Sequence, residues 1–103
     1  MLTYTLSEEG IAHINLDDGK ANALAPSLIQ AFTDAIARAE GEAKLLCVSG
    51  RPGRFCAGFD LKIMTKSSED AVNLLRQGKD LFLNLYSARI PVVIACTGHA
   101  VAG

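Results

Sequence analysis

The chain has 103 residues, half of them hydrophobic, and a formal net charge of −1. That is enough apolar material for one globular core and too little length for two domains. The near-neutral balance offers no basic field for nucleic acid, and no apolar run reaches the roughly 18 residues that a membrane span needs. Met1-Leu2-Thr3-Tyr4 lacks the basic and then apolar segments of a secretory signal. The composition therefore reads as soluble and cytoplasmic. Three cysteines, Cys47, Cys56 and Cys96, have neither CxxC nor Cys/His ligand spacing, which argues against a disulfide framework or a metal site. Cys47 and Cys96 sit in apolar runs and read as small buried hydrophobes.

Residues 2–6 and 11–16 alternate in a strand-like way around Ser7-Glu8-Glu9-Gly10, which predicts a hairpin. From Pro26 the period becomes helical. Leu28, Ile29, Phe32, Ala35, Ile36 and Ala39 form one apolar face, and Gly41 can end the helix. Lys44 to Val48 is a short apolar strand, followed by a Ser49–Gly53 loop and the segment Arg54–Leu61. A second helix is predicted from about Ser68 to Ala88, capped by Ser67 or Ser68. Val72, Leu75, Phe82 and Leu85 would supply its core face, with Gly78 as a weak spot. Val92 to Cys96 reads as a strand buried on both faces, so the order from Lys44 onward is strand, helix, parallel strand.

In such α/β units, sites form beyond the carboxyl ends of the strands. Two segments leave those ends, Gly53–Asp60 and Gly98–Gly103, and both are rich in Gly and Ala. Small residues let a ligand approach the backbone, so the groups expected to act are backbone N–H groups facing an anion or a polarised carbonyl oxygen. A phosphate loop does not fit. Gly53 and Gly58 have the four-residue gap of a Walker A loop, but Phe59 and Asp60 stand where its Lys and Ser/Thr belong.

Arg54-Phe55-Cys56-Ala57-Gly58-Phe59-Asp60-Leu61-Lys62 resembles the first oxyanion-hole segment of the crotonase, or enoyl-CoA hydratase/isomerase, superfamily. Ile90-Pro91-Val92-Val93-Ile94-Ala95-Cys96-Thr97-Gly98-His99-Ala100-Val101-Ala102-Gly103 resembles the second, with Ala102 where a run of three glycines usually begins. Lys20-Ala21-Asn22-Ala23-Leu24 is similar to the segment beside the coenzyme A region. The resemblance implies an α/β fold built as a crotonase-like spiral of ββα units. Residues 1–103 would be the N-terminal part of a single such domain, inactive by itself, because the chain stops inside a glycine-rich turn before the family's acid/base carboxylates.

By the same resemblance, the N–H groups of Ala57 and Gly103 would hold a thioester oxygen in an enolate-like intermediate. Lys20, Ala21, Gly58, Phe59, Asp60 and Leu61 would bind substrate, with Lys20 and Ala21 at the coenzyme's nucleotide end. The implied substrate is an acyl-CoA, with coenzyme A as part of it and no other cofactor or metal. The implied reaction is hydration of a 2-enoyl-CoA, with isomerisation, thioester hydrolysis and decarboxylation as alternatives. The implied assembly is a homotrimer or hexamer. A non-catalytic binding relative and a small thiol protein built on Cys56 are the competing classes. His99 reads as a packing residue rather than an acid/base, Cys56 as an inert small side chain, and Asp60 as a loop-orienting residue.

Overall fold

The computed structural model describes residues 2–101. Strands β1 (Leu2–Leu6) and β2 (Ile11–Leu16) form the predicted hairpin, in register Leu2↔Leu16 and Leu6↔Ala12. Helix α1 (Pro26–Glu42) carries the chain back so that β3 (Leu45–Ser49) pairs with β2 in parallel. Strand β4 (Gly53–Cys56), the single-turn α2 (Leu61–Met64) and the long α3 (Ser68–Tyr86) follow. The chain then returns as β5 (Val92–Ile94), parallel to β3, and β6 (Gly98–Ala100), parallel to β4. The result is a four-stranded sheet in the order β1-β2-β3-β5 beside a small β4-β6 sheet.

The predicted face of α1 is the buried one: Leu28, Ile29, Phe32, Ala35, Ile36 and Ala39. They pack with Ala12, Ile14 and Leu16 of β2 and Leu46 and Val48 of β3. Each such aliphatic or aromatic side chain contributes about 1.5–3 kcal/mol by leaving water, which is why the sheet and α1 hold together. Pro26 opens the helix as expected, whereas Gly41 lies within its last turn and the helix runs on to Glu42. Helix α3 begins where Ser67 Oγ accepts the Asp70 N–H (3.0 Å).

Two expectations are corrected at α3 and β5. The buried residues of α3 are Leu74, Gly78 and Leu81, spaced i, i+4, i+7, while Leu75 is 44% exposed and Val72 is exposed. Phe82 and Leu85 only flank this face. The expected strand Val92–Cys96 is three residues long, and Val93, Ile94 and Cys96 are exposed. β5 is an edge strand, with no further strand beyond it among the described residues.

Candidate active site

The small sheet brings together the two Gly/Ala segments that the sequence marks. Gly53 pairs with Gly98, Arg54 with His99 and Cys56 with Ala100, and the Val101 N–H donates to Cys56 O (3.0 Å). The approach is so close that a Cβ on Gly98 would overlap the Gly53 peptide, which is why glycine stands there.

A third segment, residues 18–25, lies alongside. Leu24 forms a parallel bridge with Phe59: its N–H donates to Gly58 O (2.7 Å), and its carbonyl accepts the Asp60 N–H (2.9 Å). The turn before it is organised by Asn22, which is buried and adopts φ +56°. Asn22 Nδ2 donates to Leu16 O (2.7 Å) and Phe55 O (3.1 Å), and Oδ1 accepts the Asp18 N–H (3.0 Å). One amide thus ties the end of β2, the turn and β4 to each other. Arg51 holds the same turn from outside, with Nη1 donating to Lys20 O and Nε paired with Asp17 Oδ1 at 3.1 Å. Sequence reasoning missed the part played by Asn22. Its signal was the residue type, since asparagine tolerates the left-handed region better than most.

Between residues 18–28 and residues 57–62 lies a cleft of about 500 Å³, lined by Asp18, Lys20, Ala21, Ala23, Ala57, Phe59, Asp60, Leu61 and Lys62 among others. Of the expected site residues, it brings together Lys20, Ala21, Ala57, Phe59, Asp60 and Leu61. Gly58 is buried just behind it, at φ +87°, with its N–H on Cys56 Sγ (3.4 Å). Gly103 lies outside the described residues. Asp60 also accepts the Lys62 N–H (2.9 Å) as the N-cap of α2, in keeping with a loop-orienting part. Two basic side chains, Lys20 and Lys62, reach the cleft, whereas Arg51 is engaged elsewhere.

The amide of Ala57, the expected donor, is already engaged. Its N–H donates to Ala21 O at 3.0 Å, inside the protein. In the bridge to Leu24, Gly58 O and Asp60 N point toward residue 24, so the N–H of Phe59 points to the opposite side. It meets no acceptor among the described residues. Phe59 is therefore an amide of this segment with hydrogen-bonding capacity to spare; the Leu61 N–H, at the start of α2, likewise meets no acceptor among the described residues.

Cys56 is half-buried, and burial pushes its thiol above the ordinary range, outweighing the opposing Gly58 N–H. It is thus a poor nucleophile, in line with the inert reading. His99 is exposed on β6 and lines a smaller hollow with Arg54 and Cys56. His13 is exposed on the sheet, where its Nε2 meets Ser49 Oγ at 2.7 Å. Among the described residues, no group of acidic, histidine or cysteine side chains is placed to hold a metal ion.

The model of the family described as enoyl-CoA hydratase/isomerase matches residues 7–103. The chain belongs to the enoyl-CoA hydratase/isomerase family. It is 34% identical over 101 residues to a probable enoyl-CoA hydratase of Rhodobacter capsulatus, covering 96% of this chain and 39% of that protein. Among solved structures, an enoyl-CoA hydratase/isomerase family protein from Pseudomonas syringae superimposes with a TM-score of 0.91 at 42% identity. That match covers 96% of this chain and 43% of the other. The apo enoyl-CoA isomerase of Mtb gives 0.89 at 44% identity, over 96% and 43% of the two chains. The fold is thus the crotonase-type α/β fold of these relatives, and the chain spans about two-fifths of their length.

Proposed function

We propose that this protein acts on acyl-CoA thioesters, stabilising an enolate-like intermediate with backbone N–H groups, and that its reaction is the hydration of a 2-enoyl-CoA. The observation that carries the reading is the meeting of the 18–25 and 57–62 segments in one cleft, with a spare amide at Phe59 and with β6 paired to β4, the strand that leads into the 57–62 segment. An oxyanion bound to preorganised amides needs no reorganisation as charge develops, which is the source of the rate gain. Phe59 N–H is assigned as the first donor in place of Ala57. Gly103 N–H is kept as the second, as the family resemblance implies, with β6 running beside β4. Lys20 and Lys62 are assigned to the coenzyme's phosphates, as point charges at the cleft's rim. Isomerisation, thioester hydrolysis and decarboxylation would use the same two donors. They would differ in the proton-transfer groups.

The reading extends to a cytoplasmic setting, supported by three free cysteines. It extends to assembly as a homotrimer or hexamer, supported by the exposed apolar side chains of α3.

Amide hydrogen exchange with and without butyryl-CoA, a thioester that cannot be hydrated, tests the donors. Slowed exchange is expected at Phe59 and Gly103, with little change at Ala57, whose amide already has its acceptor. Protection confined to other amides would overturn the assignment. Gly103→Pro, which deletes one N–H, should weaken butyryl-CoA binding by about tenfold or more.

A further inference from the structure

Phe59 lines two hollows at once. One is the cleft just described, and the other is an apolar groove of about 450 Å³ on α3, formed with Leu75, Phe82, Leu83 and Tyr86. Its ring is seated on Gly78. A Cβ at that position would lie 2.7 Å from Phe59 Cζ and closer still to Cε1, so any side chain there forces the ring to move. Phe82 steadies the ring from the side, with centroids 6.3 Å apart and planes tilted by 59°. A glycine inside an exposed helix ordinarily only weakens it, yet Gly78 is buried and is fitted to one aromatic ring.

We infer that the Phe59 ring, seated on Gly78, is the wall that stops the acyl chain of the substrate, so that the cleft selects short-chain thioesters. This rests on the acyl-CoA reading of the cleft. The groove beyond is apolar and shares its wall with the cleft, so removing the ring joins the two and gives the tail of a longer chain somewhere to lie. Each methylene then buried is worth roughly fourfold in affinity. The backbone N–H of Phe59 is untouched by a change of its side chain, which separates chain selection from oxyanion binding.

The test is calorimetric titration of the protein with butyryl-CoA and octanoyl-CoA. In the wild type, octanoyl-CoA should bind no more tightly than butyryl-CoA, because the four extra methylenes find no apolar site. Phe59→Ala should raise the octanoyl-to-butyryl affinity ratio by about tenfold or more. Phe59→Leu should move it the same way by less, and it reports if the alanine variant does not fold. Gly78→Ala displaces the ring, so it should change the ratio when Phe59 is present and leave it unchanged beside Phe59→Ala. An unchanged ratio in the folded Phe59 variants overturns the inference, as does an equal effect of Gly78→Ala in both backgrounds. If the wild type binds neither thioester, the acyl-CoA reading itself falls.

Discussion

Among the described residues, Asn22 is the one polar side chain that is fully buried, and it has no idle hydrogen-bonding capacity facing the core. Replacing it by alanine leaves Leu16 O, Phe55 O and Asp18 N without their partner and keeps a β-carbon at φ +56°. Each orphaned group costs about 1–3 kcal/mol. The backbone conformation costs roughly 1–2 kcal/mol for any residue with a Cβ, asparagine and alanine alike. Asn22→Ala should therefore lose about 3 kcal/mol or more in urea unfolding. Asn22→Gly, free of the backbone cost, should recover about 1 kcal/mol of that. Equal losses in the two variants would show that the φ value carries no strain. The same hydrogen-bond accounting is what favours Phe59 over Ala57 as the first donor in the proposed function. Nothing in the residue types of Cys56-Ala57-Gly58-Phe59 reveals which amide is spare. That is decided by pairing with Ala21 and Leu24, more than thirty residues earlier in the chain.

β1 is tied to α1 by one polar arrangement. Tyr4 OH donates to Glu42 Oε1 (2.8 Å), Arg38 pairs with the same carboxylate (3.0 Å), and its guanidinium lies 4.2 Å from the Tyr4 ring centre. Burial, and then the hydrogen bond and negative charge of Glu42, push the Tyr4 phenol up to about 12, against the opposing pull of Arg38. Because the folded pKa lies above the ordinary 10.0, the fold retains the phenolic proton more tightly than the unfolded chain does. This contribution to stability is complete below pH 10 and disappears as pH rises from 10 toward 12. Urea midpoints measured across that range should fall more steeply for the wild type than for Tyr4→Phe. Parallel curves would show that the phenol is not coupled to folding. α1 and the β1–β2 hairpin were legible because a long period-3.6 face and a clear alternation survive any context. β4 and β6 were not, since four and three residues containing Gly, Arg and His carry no period at all. At α3 the expected face of Val72, Leu75, Phe82 and Leu85 lies next to the buried stripe of Leu74, Gly78 and Leu81, whose middle position has no side chain and so adds nothing to an apolar period.

The molecule measures 45 × 26 × 17 Å, a slab about as thick as one helix layer on one sheet. A slab of this kind covers one side of each layer and leaves the other open. Val72, Leu75, Leu83, Tyr86, Val93 and Ile94 are accordingly all more than 40% exposed. Apolar area of this sort favours association. Sedimentation of the 103-residue chain should show species larger than the 10.9 kDa monomer at micromolar concentration. Leu75→Lys with Leu83→Lys should shift the distribution toward monomer by about tenfold in dissociation constant. A monomer throughout would remove the support that these side chains lend to an oligomeric form. No helix among the described residues is long and apolar enough to cross a membrane.

The pairing of β4 with β6 also has a clock in it. Cys56 ends β4 and Gly98 opens β6, so 42 residues separate them (98 − 56). At about 5–20 residues per second, a ribosome adds that stretch in about 2–8 s. For that interval the hairpin, α1 and β3 have been synthesised, while the edge of β4 still lacks its partner strand. Such an edge invites the wrong strand. Gly53 and Arg54, the two residues that open β4, are poor bait for another chain: one has no side chain to pack, and the other carries a charge. The residues that open β4 thus spend their first seconds shielded by their own low appetite for pairing.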